Sequence, residues 1–166
     1  MSYWEAIELL AQRMDMCERL EASSMGFSYD SRGSARAEGR YATQVLARLT
    51  GKPYDVVLAD ISAALGKYWA ENGLTVVPTL SWAQPSSYKF CFKGIPKHST
   101  VATSTVGVVR DKDAQAVWFD GMREAMRQLQ PSRVLLYGKD IGFDFGETEV
   151  IEYANGVTER MAANGR

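Results

Sequence analysis

An α/β fold follows from three features of the sequence. The first half carries helical periodicity, strand-like runs begin at residue 74, and a strand–helix–strand succession occupies residues 101–137. The expected architecture is N-terminal helices followed by a small mixed, partly parallel sheet that contains a βαβ unit. A length of 166 residues fits a single domain over 1–166, and such a chain can bury about 70% of its unfolded surface. Residues 1–53 read as a helical part, 54–153 as the α/β part, and 154–166 as a polar, flexible tail.

Ile7, Leu10, Met14 and Cys17 recur at three- and four-residue spacing and predict a helix over 3–21. Ser2 is its expected N-cap, with Glu5 closing a capping box. The polar stretch from Ser23 to Gly33 reads as a loop. A second helix is expected over 34–49, burying Ala42, Val45, Leu46 and Leu49. Pro53 then sits at the first turn of a third helix over 54–72, whose buried face is Val57, Ile61, Leu65 and Tyr68. Gly73 is placed to end it. Residues 54–61 can also be read as a strand, because Val56-Val57-Leu58 is a short apolar run.

Strands are expected over 74–80, where Pro78 marks an edge or an end, and over 88–93, where Tyr88, Phe90 and Phe92 alternate with Lys89, Cys91 and Lys93. A third, over 101–109, is rich in β-branched residues. Asp111 and Asp113 open a helix over 112–129, with Val117, Trp118, Met122, Ala125, Met126 and Leu129 on its buried face. Strands over 133–137 and 148–153 follow, and the crossover into 133–137 should be right-handed.

Composition excludes several classes of function. Nineteen Lys and Arg against twenty Asp and Glu give a net charge of −1, unlike a general binder of the phosphate backbone. Cys17 and Cys91 are too few and too far apart for a disulfide framework. The first residues lack a basic, then apolar, leader, and no apolar run reaches membrane-span length. A cytoplasmic location is the expectation. The single histidine, His98, cannot form a two-histidine metal site and reads as solvated, and no Walker, Rossmann or His-Glu-x-x-His pattern occurs. No cofactor is expected.

In an open α/β sheet, ligands bind beyond the carboxyl ends of parallel strands. The candidate strand-end pocket is therefore Trp82, Thr105, Gly107, Tyr137, Gly138, Lys139 and Asp140, with Ser81 beside it. Glycines there permit close backbone approach, and Trp82 and Tyr137 offer stacking walls; the same residues equally serve as core rim and turn formers. Asp140, Asp144 and Glu147 are weak candidates for Mg²⁺, which favours carboxylate oxygens, although their spacing also fits a solvated loop. Arg32, Arg36, Arg40 and Arg48 are candidate nucleic-acid contacts on the N-terminal helices, Arg36 and Arg40 at helical spacing.

One further pattern concerns order rather than chemistry. Tyr68-Trp69, Gly73, Val77-Pro78 and Trp82 are followed by Ser87-Tyr88, Phe90-Cys91-Phe92, Gly94-Ile95-Pro96 and Ser99. Then come Val101, Ser104-Thr105, Gly107, Phe119, Gly121, Leu129, Pro131 and Tyr137-Gly138. Over about residues 60–153 this resembles the DUF4417 family of bacterial and phage proteins. The resemblance implies carriage by phages or other mobile elements, and it brings no activity, cofactor or catalytic residue with it. The expected function is that of a phage or mobile-element accessory protein acting by binding a macromolecular partner, either another protein or a second copy. The alternatives are a small metal-assisted enzyme acting on nucleotides or nucleic acid, and a nucleic-acid-binding module built on the N-terminal helices.

Overall fold

A computed structural model describes residues 2–9, 12 and 43–155. The expected loop over 23–33, most of the first helix, residues 34–42 of the second, Cys17, Arg32, Arg36, Arg40 and the tail from 156 lie outside the described residues. The chain divides into two compact units, Met1–Val76 and Val77–Arg166, and each is considered by itself.

The first unit is helical: α1 (3–9), α2 (43–50) and α3 (Tyr54–Glu71). The capping box opens α1 as expected, with Glu5 N–H donating to Ser2 Oγ and Ser2 N–H donating back to the Glu5 carboxylate. Ile7, Ala47, Val57 and Ile61 form the core. Leu49 does not join them; it is 80% exposed, and Thr43 and Ala47 take the inner positions of α2. Residues 54–61 are helix throughout, so the strand reading falls: Val57, Ile61 and Leu65 recur with helical period and are buried together. Gly73, at φ +80°, closes α3. Its N–H donates to Ala70 O and that of Leu74 to Trp69 O, the paired bonds of a Schellman motif.

The second unit is built on β1 (Thr100–Ser104), β2 (Arg133–Tyr137) and β3 (Glu149–Tyr153), in the order β1-β2-β3. Both pairings are parallel, with Val101, Val134 and Val150 in one row; the mixed sheet gives way to a parallel one among these strands. Helix α5 (Lys112–Leu129) joins β1 to β2, completing the βαβ unit. Asp111 caps it by accepting from the N–H groups of Asp113 and Ala114, an arrangement worth about 1 kcal/mol.

The strand expected over 74–80 shrinks to one parallel bridge, Thr79 with Ala102, because Pro78 has no N–H to extend a ladder. The strand expected over 88–93 is absent. Pro85–Ser87 form a 3₁₀ turn that runs into α4 (Tyr88–Cys91). The aromatic alternation conceals a second period, and Tyr88 stacks on Phe92 four residues on, centroids 6.0 Å apart. The strand expected to reach 109 stops at Ser104. Turns at 106–110 follow, with Val108 N–H donating to Thr105 O and Gly107 at φ +86°.

All three connections pack on one face of the sheet. Val101, Val134 and Leu136 share a core with Trp118, Met122, Ala125 and Leu129 of α5. Phe92, Tyr88 and Ile95 from the segment before β1 join it, as do Ile141, Phe143 and Phe145 from the segment after β2. At the far end of α5, His98 N–H donates to Leu129 O and its Nδ1 donates to Gln130 O at 3.1 Å. The exposed histidine thus satisfies carbonyls that the helix end leaves open.

Candidate functional site

The carboxyl end of β1 and the first turns of α5 border a groove of about 560 Å³. Thr79, Leu80, Ser81 and Trp82 form one wall. Thr103, Ser104 and Val108 form the floor, and Asp113, Ala114, Val117 and Trp118 the other wall. Its position follows from local sequence: β1 ends in a turn, Asp111 restarts the chain as a helix, and the helix's first turns stand over the strand end.

Two indoles give the groove its character. Trp82 Nε1–H donates to Val117 O at 3.1 Å, and Trp118 Nε1–H donates to Ser104 O at 2.9 Å. The rings lie 6.0 Å apart at 51°. Their polar edges are spent on backbone carbonyls, so they present apolar ring surface. Trp82 also packs against Gly121, where any Cβ would overlap the indole. The Asp113 carboxylate has no hydrogen-bond or ion-pair partner among the described residues, and Ser104 Oγ accepts from Val106 N–H.

The candidate pocket residues do not come together in one site. Trp82 lines the groove. Thr105, Tyr137, Gly138 and Lys139 come together elsewhere, in a tie between the ends of β1 and β2. Thr105 N–H donates to Tyr137 O, and Thr105 Oγ1 donates to Lys139 O at 2.8 Å. Gly138, at φ +118°, leaves no room for a Cβ beside Thr105 Oγ1. The Tyr137 hydroxyl turns away and donates to Asn155 Oδ1. Gly107 belongs to the turn after β1.

Asp140 Oδ1 accepts from Gly142 N–H and Asp144 Oδ1 from Gly146 N–H, each at 2.8 Å. These carboxylates stabilise their own turns, and Glu147 is exposed beside them. Among the described residues no group of three or more His, Cys, Asp or Glu side chains is placed to hold a metal. Arg48 is exposed on α2.

Sequence reasoning missed Ser104, Val108, Asp113 and Val117 as groove residues, and assigned Trp118 to the core alone. The signal available was the short interval between the end of β1 and the start of α5, which was hidden by reading the strand as far as 109.

The fold and groove define a small α/β protein with an apolar cleft at the strand ends. The chain belongs to the family described as "Domain of unknown function (DUF4417)", which matches residues 56–154. It is similar to the Gene 1 protein of Mycobacterium phage L5, 43% identical over 74 residues, 45% of this chain and 32% of that protein. The Gene 1 protein of Mycobacterium phage D29 is 42% identical over 74 residues, 45% of this chain and 27% of that protein. These matches cover about a third or less of the relatives' own length. No solved structure matches the chain. Among the described residues, no helix is long and apolar enough to cross a membrane.

Proposed function

We propose that this chain is an accessory protein of a phage or mobile element and acts by binding a protein partner, with the strand-end groove as the contact. The observation that carries this reading is the groove's lining. Two indoles with their N–H groups already bonded, together with Leu80, Val108 and Val117, offer a seat for an apolar side chain. The phage relatives supply the context, and the net charge of −1 favours a protein over a phosphate backbone as partner.

The test is affinity capture of the tagged chain from its host's lysate after nuclease treatment, compared with Ala114→Arg, which places a long side chain across the groove. The expected result is one stoichiometric protein retained by the parent and lost by the variant, with circular dichroism unchanged. Equal capture by both would remove the groove from the contact. Material released by nuclease would replace the protein partner with nucleic acid.

A further inference from the structure

Residues 78–80 occupy the outermost strand position next to β1, and one side of this segment is open. Ala102 donates its N–H to Pro78 O at 2.9 Å and accepts from Leu80 N–H at 2.7 Å. Backbone polar groups of successive strand residues point to opposite sides. Pro78 and Leu80 therefore turn theirs towards β1, and Thr79 between them turns both of its own away. Neither the N–H nor the C=O of Thr79 has a hydrogen-bond partner among the described residues, and Thr79 and Ser81 are exposed. These residues also form a wall of the groove.

An open strand edge beside an apolar cleft is the arrangement that captures extended polypeptide: main-chain bonds supply affinity, and a side chain in the cleft supplies specificity. We propose that the chain binds its partner by strand addition. An extended segment of the partner pairs along Thr79–Ser81 and seats one apolar side chain against Trp82. This inference rests on the protein-binding reading above and specifies how that binding is made.

One further feature favours a polypeptide occupant of this kind. No Lys or Arg lines the groove, and Asp113 stands on its wall, so the cleft suits an uncharged side chain better than a phosphate.

The test selects linear peptides from a ribosome-displayed random library on the full chain and measures their binding by fluorescence polarisation. Selected peptides should lose affinity with Ala114→Arg. Single N-methylation along a peptide should weaken binding about tenfold at alternate residues and little between them. Failure to enrich any peptide would overturn strand addition, as would peptides insensitive to N-methylation at every position. Because lysate capture is scored independently, strand addition can fail while the protein-binding reading stands.

Discussion

Trp82 and Gly121 are in direct contact, the indole lying where any larger residue on α5 would place its Cβ. A glycine inside a helix costs about 1 kcal/mol relative to alanine. Here that cost is offset by the packing of an entire indole, which in turn positions its Nε1–H on Val117 O and its ring against the groove. Gly121→Ala should therefore destabilise the protein by about 1–3 kcal/mol despite the better helix former, since the ring must move or the helix bend. Urea denaturation followed by tryptophan fluorescence checks both the cost and the displaced ring.

Tyr88 presents the opposite case. Its hydroxyl is buried with no hydrogen-bond partner among the described residues, and burial first, then the nearby Asp120 carboxylate, pushes its pKa up. Tyr88→Phe keeps the ring stacked on Phe92 and removes an orphaned polar atom. Stability should be unchanged or higher, as measured by thermal melting.

In the helical unit, Tyr3 Oη donates to Asp60 Oδ2 at 2.7 Å, with Asp60 buried. Burial first, and then the hydrogen-bonded carboxylate, raises the phenol's pKa above its ordinary value of 10.0. The folded state thus keeps a proton that the unfolded chain sheds, so this contribution is full below pH 10 and is lost as the pH rises above it. Tyr3→Phe should cost about 1–3 kcal/mol at neutral pH. The gap between parent and variant should narrow in denaturation curves taken above pH 10.

Cys91 is a free thiol, partly buried, and burial raises its pKa although a hydrogen bond with Ser87 works against the shift. Thiolate is the reactive form. Iodoacetamide should label Cys91 slowly at neutral pH and rapidly once the chain is unfolded, as read by mass mapping of its peptide.

The helices Tyr54–Glu71 and Lys112–Leu129 were legible because caps and periodicity agree: Asp111 and Gly73 mark ends that the buried Val57, Ile61, Met122 and Ala125 confirm. Strands β2 and β3 were legible as short β-branched or apolar runs between turn residues. Residues 88–92 were not, because aromatic residues at alternate positions satisfy a strand period while Tyr88 and Phe92 also satisfy a helical one. Pro85 and the turn it starts decide between them.

The candidate site was half legible. Strand ends could be listed from the sequence, which drew attention to Trp82. The grouping of those ends could not, since it depends on which strand neighbours which and on where each strand stops. Thr105 and Gly138 meet each other rather than a ligand because both lie one residue beyond their strands, where the chain must be tied as it turns.

The one-sided packing of the three connections has a consequence for how this unit comes together. From the Thr79 bridge through β1, β2 and β3, each strand lies beside the one that precedes it in the chain. No strand must wait for a later one to be inserted between it and its neighbour. Assembly can therefore proceed in the order of synthesis, each new strand joining a ready edge without being threaded between strands already paired.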